Sequence, residues 1–138
     1  MTIDYTNRHL INDKINIHDS IFEGFIYREK EKLLLIELKN YSLNTTYNLN
    51  FYNVIAVNCE MCQFWGKSPN ILDWQVCDNE NLMQAIVNKQ NSNKDLYKNS
   101  LINTKKSYLE TVITLTSGDT INIVCEHIDI KRLQLHKE

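Results

Sequence analysis

Residues 111–130 constrain the fold more than any other stretch. Ile113 and Leu115 alternate with Thr114 and Thr116, Ser117-Gly118-Asp119-Thr120 interrupts, and Ile121, Ile123 and Cys125 resume the alternation before Ile128 and Ile130. Side chains that turn inward at every second residue belong to strands with one buried face. Gly118-Asp119 suits a two-residue turn whose first central residue takes a positive φ. The segment therefore reads as an antiparallel hairpin. Tyr47, Leu49 and Phe51, spaced by Asn48 and Asn50, repeat the pattern.

The remaining segments fit the same architecture. In Ser20-Ile21-Phe22-Glu23-Gly24-Phe25-Ile26-Tyr27 the alternation is a strand, with Gly24 marking a bulge or a close backbone approach. Arg28 to Lys32 is a charged, solvated turn. Leu33 to Lys39 starts apolar on both faces, which predicts a central strand buried on both sides. Val54 to Cys59 is the next strand, or the same strand continued after a kink at Tyr52-Asn53. Pro69-Asn70 can open one helical turn carrying Ile71, Leu72 and Trp74. Asp78 is placed to cap a short helix from about Asn79 to Lys89, with Leu82, Met83, Ile86 and Val87 as its apolar stripe. Met1 to Ile17 reads as an irregular arm or short edge strand, and Gln90 to Lys106 as a long polar loop. The fold class is mainly β with a minor α part. Hairpins and short turns predict a curled antiparallel sheet, barrel or sandwich, with one short helix.

At 138 residues the chain is one domain, large enough for a hydrophobic core. Glycine (3) and proline (1) are scarce, so asparagine is expected to take turn positions with left-handed backbone. The net charge of −2 leaves no basic excess for a phosphate backbone, which argues against nucleic acid. The longest apolar run, Leu33 to Ile36, is far short of the ~20 residues that span a bilayer. The N-terminus has no basic segment followed by an apolar run. The expectation is a cytoplasmic protein with reduced cysteines, no membrane and no cofactor.

The stretch from Asn58 to Trp74 holds both tryptophans, the only proline and two of the four cysteines. It is the candidate functional surface. Tyr52, Phe64, Trp65 and Trp74 are its aromatics, with Lys67, Ser68 and Asp73 as the polar rim. Tryptophan and tyrosine are over-represented at binding hot spots, and they equally close the ends of β cores. Cys59 and Cys62 have zinc-ligand spacing that Cys125 and His127 could complete. The competing reading is buried structural thiols, since residues three apart on a strand point to opposite faces. His18-Asp19-Ser20 has triad residue types, but neighbours on extended chain point apart. Their simpler role is to satisfy backbone donors where a strand begins. No phosphate-binding glycine loop, nucleophile elbow or dinucleotide fingerprint is present, and no catalytic set is assembled.

His18-Asp19-Ser20 leading into Ile21-Phe22, then a hairpin, then Phe51-x-Asn53-Val54, resembles a pattern in small uncharacterised bacterial β-domain proteins, some of them immunity-like. The resemblance covers mainly residues 18–57. It implies a partner protein, such as a toxin, that the domain occludes, and it carries over no catalytic residues. The leading expectation is thus a non-enzymatic cytoplasmic protein-binding module. Alternatives are a small-ligand-binding β-barrel with a Trp-lined pocket, and a Cys/His zinc or thiol site. An exposed edge strand leaves a homodimer open.

Overall fold

A computed structural model describes residues 1–66, 69–92 and 107–135. The candidates Lys67 and Ser68, and the polar stretch beyond Ser92, lie outside the described residues. The elements in chain order are β1 (Thr2–Asp4), α1 (Leu10–Lys14), β2 (Ile21–Arg28), β3 (Leu33–Asn40), β4 (Thr45–Tyr52), β5 (Ala56–Glu60), β6 (Ile71–Val76), α2 (Asn81–Ser92), β7 (Leu109–Leu115), β8 (Thr120–Cys125) and β9 (His127–Gln134). They form two antiparallel sheets, in the orders β1-β9-β4-β3-β2 and β5-β8-β7-β6. The mainly β class is as the alternation predicts. The sheets face each other and do not close into a barrel.

Two bent strands join the layers. β4 runs into β5 and β8 into β9, and the pair stays in antiparallel register from Thr45↔Gln134 to Tyr52↔His127, then from Ala56↔Val124 to Glu60↔Thr120. At the bend Glu126 N–H donates to Tyr52 C=O, and the Asn53 amide donates to the Glu126 carboxylate at 2.7 Å. Asn53 holds a φ of 53° and Asn44 one of 52°, the left-handed turn work expected of asparagine. Strands that bend from one sheet into the other are a usual way to build a sandwich corner. A second corner lies where Phe22 N–H donates to Pro69 C=O and Ile71 N–H to Ser20 C=O, so the start of β2 meets the start of β6.

The core sits between the layers. Leu34, Ile36, Leu38, Leu49, Phe51, Ile128 and Ile130 come from one sheet, and Ile71, Trp74, Leu109, Ile113, Ile121 and Ile123 from the other. β3 is central in its sheet but buried on one face only: Leu34, Ile36 and Leu38 are covered, Leu33 and Leu35 half so, and Glu37 is exposed. No element among the described residues covers its outer face, contrary to the expectation from its apolar start. On the other sheet, α2 packs over β5 and β8.

Two local expectations are corrected. Ile71, Leu72 and Trp74 lie on strand β6 (Ile71–Val76), not on a helical turn. A bulge between Ile71 and Asp73 turns both Ile71 and Trp74 inward, which imitates helical spacing. Helix α2 starts at Asn81 and is not capped by Asp78, which is exposed within 3.8 Å of Arg8 and 3.7 Å of His9. Its first turn is held by the buried carboxylate of Glu110, which accepts from Met83 N–H at 2.8 Å and from the Asn122 amide at 3.2 Å. A carboxylate at a helix N-terminus satisfies a free donor and complements the dipole. The N-terminal arm contains the edge strand β1 and a second short helix, α1.

Candidate functional site

The β7–β8 turn is longer than two residues. Gly118 N–H donates to Leu115 C=O, and Leu115 N–H donates to Asp119 C=O. This leaves Thr116-Ser117-Gly118 as a three-residue loop with Gly118 in the left-handed position, the arrangement of a turn followed by a bulge. The loop that follows β5 docks on it. Asp119, itself buried, uses one carboxylate oxygen to accept from Cys62 N–H at 2.8 Å and Gln63 N–H at 2.6 Å. Trp65 N–H donates to Ser117 C=O at 2.9 Å, and Gly66 N–H donates to Gln63 C=O.

These bonds fix the backbone of residues 62–66 and leave its aromatic side chains outside. Trp65 is 76% exposed and Phe64 58%; Met61 beside them is exposed as well. One face of the Trp65 ring lies on Gly118. A Cβ there would come within 2.8 Å of Trp65 Cε3 and 3.1 Å of Cδ2. Gly118 is therefore demanded twice, by its φ of 89° and by the indole above it. The result is a pre-ordered aromatic surface, on which a partner could be gripped without first ordering the loop.

The other candidate residues scatter. Trp74 is a core residue, 5% exposed, with its ring edge-on to Phe51 at a centroid distance of 6.1 Å. Tyr52 stacks on His127 at 4.7 Å on the outer face of the first sheet. Asp73 is half-buried on β6, accepting from the Gln75 amide at 3.1 Å. Of the predicted set, Phe64 and Trp65 are brought together as an exposed pair, and Trp74 is walled off from solvent. The residues that position the pair, Ser117, Gly118 and Asp119, appear in the sequence only as a turn. Their partnership with a loop more than fifty residues earlier (separations of 57 and 56) carries no local signal.

The zinc set does not assemble. Cys59 is exposed opposite Ile121, whereas Cys125 is buried four residues further along β8, roughly 13 Å away at the rise of a strand. His127 faces outward against Tyr52. No group of three metal-ligating side chains occurs among the described residues. Burial pushes the Cys59 and Cys125 thiols up, and burial followed by the nearby Glu110 charge pushes Cys77 up to about 11. Such thiols are poor nucleophiles near neutral pH. His18 Nδ1 and Asp19 Oδ2 lie 3.1 Å apart and are both exposed, while Ser20 is fully buried with its hydroxyl unpartnered, so the three do not converge. It is the backbone of Asp19 and Ser20, not their side chains, that bonds the start of β6. No protein-family profile matches the chain, and no curated protein is similar to it.

Proposed function

We propose that the protein is a non-enzymatic binding module that grips another protein through Phe64 and Trp65. One observation carries the reading: an indole left 76% in solvent on a backbone held by the Asp119 carboxylate and Ser117. Exposed tryptophan on a rigid support has the character of an interface hot spot, because its large apolar area is desolvated at little entropic cost. The separation of the candidate triad and metal residues supports a non-catalytic role. We place the protein in the cytoplasm and take its action to be immunity-like, the module covering a working surface of its partner. The test is affinity capture from the host's own lysate with wild-type protein and with Trp65→Ala, read by mass spectrometry. The expected outcome is a stoichiometric protein partner retained by the wild type and lost by the variant, with the two equally stable to urea. A partner held equally by both defeats the reading.

A further inference from the structure

β2 and β5 are edge strands of different sheets. Ile21 of β2 bridges to Asn70 and Phe22 N–H donates to Pro69 C=O; beyond Phe22 the outer edge of β2, like that of β5, has no strand neighbour among the described residues. Between them opens a cleft of about 460 Å³, within the size range of ligand pockets. Phe25 and Tyr27 line one wall. They sit opposite Ile36 and Leu34, so they share the core-facing side of their sheet. Val57 and Cys59 line the other, opposite the inward Ile123 and Ile121. These are core-facing positions, yet Phe25 is 38% and Tyr27 43% exposed. Among the described residues, nothing fills this side of the core.

We propose that this cleft receives an extended segment of another protein, added to the free edge of β2 as an antiparallel strand with alternate apolar side chains seated between the sheets. Three features select that occupant. Among the described residues, the edge beyond Phe22 has no strand to meet its outward backbone donors and acceptors, which an added strand satisfies and an apolar small molecule does not. A strand on β2 sends every second side chain to the core-facing side, where Phe25, Tyr27 and Val57 wait. The edge also carries a charge pattern, Glu23 at one end and Arg28 at the other, with only Gly24, Phe25, Ile26 and Tyr27 between. The complementary strand has an acidic residue beside Arg28 and a basic one beside Glu23.

That pattern disfavours a second copy of the chain. A two-fold antiparallel pair sets one residue opposite its own copy. Centred on Phe25, it opposes Glu23 to Tyr27; centred on Ile26, it opposes Glu23 to Glu29. Neither sets Glu23 against Arg28, and like charges directly opposite are destabilising. The addition is antiparallel because every pair in this sheet is, and antiparallel ladders are slightly the more stable.

The proposal goes beyond the Phe64–Trp65 reading and uses none of its residues. Its probe is a labelled peptide, acetyl-Thr-Asp-Val-Thr-Val-Thr-Lys-Thr-amide, titrated against the full chain by fluorescence anisotropy. The expected results are saturable binding, about tenfold weaker binding when Asp and Lys are exchanged, and reversal of that preference in the Glu23→Lys/Arg28→Glu double variant. Cys59→Glu, which puts a carboxylate in the cleft at an exposed position, should abolish binding, and Trp65→Ala should leave it unchanged. Hydrogen exchange of amides 25–28 should slow with the peptide bound. Absence of binding at millimolar peptide, a charge preference that the double variant does not reverse, or protection outside β2 and β5 overturns the proposal. So does a sedimenting dimer whose β2 amides are already protected, which would make the second copy the occupant.

Discussion

Trp65 and Trp74 stand in the same short stretch and meet opposite fates. Trp74 is placed by its ring: the indole packs edge-on to Phe51 inside the core, at the cost of leaving its Nε1–H without a partner. Trp65 is placed by everything except its ring. Its own N–H, the Asp119 carboxylate beneath Cys62 and Gln63, and the missing Cβ of Gly118 set where the indole stands. The difference teaches that an aromatic can be ordered without being buried, provided its backbone is bonded and its neighbour makes room. An ordered but exposed indole is free to bind; a buried one can only stabilise.

The largest expected effect separates the two. Trp74→Ala removes a buried indole from between the sheets and should cost about 3–5 kcal/mol, read as a fall in the urea midpoint. Trp74→Phe should cost much less, since it keeps an aromatic edge against Phe51 and removes the unpartnered N–H. Trp65→Ala should change stability by less than about 0.5 kcal/mol, as surface substitutions do. Equal losses at the two positions would collapse the comparison and make Trp65 a structural residue.

A middle-sized effect tests how Trp65 is held. Gly118→Ala forces a side chain into left-handed backbone, which costs about 1–3 kcal/mol, and pushes the indole off its seat. If the second part is real, it depends on the indole being there. The cost of Gly118→Ala should therefore be smaller in a Trp65→Ala background, and a double-mutant cycle measures the difference. Strict additivity would mean that the ring does not lean on the turn, and that only the Asp119 and Ser117 bonds order the loop.

The alternation of Ile113, Leu115, Ile121 and Ile123 was enough to read the hairpin and the mainly β class, because period-2 burial is written locally. A bulge or close backbone approach at Gly24, and left-handed turn duty for asparagine, which Asn44 and Asn53 perform, were legible from residue type. What failed was non-local or depended on a bulge. Ile71 and Trp74 look helical in spacing only because a bulge turns both inward. The start of α2 could not be read, since its donor is met by Glu110, 27 residues from Met83. Within the candidate site, Phe64 and Trp65 stand out by residue type, but nothing local tells an exposed tryptophan from a buried one. That distinction rests on Asp119 and Gly118, which come close only after β5 pairs with β8.

The smallest effect carries the comparison to the cysteines. Cys62 belongs to the Trp65 loop and is exposed; Cys77 follows the strand of Trp74 and is half-buried beside Glu110. Burial, with Glu110 and Asp78 adding, raises the Cys77 thiol from the ordinary 9.0 to about 11. A raised folded value means that the neutral thiol is the form the fold favours. Its contribution is therefore complete below pH 9 and is lost as pH rises through about 11. The wild-type curve alone decides nothing, and the comparison with a variant that lacks the thiol does. Cys77→Ser keeps a hydroxyl beside Glu110 and does not ionise. The expected result is a steeper fall in the wild-type urea midpoint between pH 9 and 11 than in the variant, with alkylation at pH 8 marking Cys62 well before Cys77. Superimposable pH curves, or equal alkylation rates, would show that the strand side of this stretch shields its thiol no better than the loop side does.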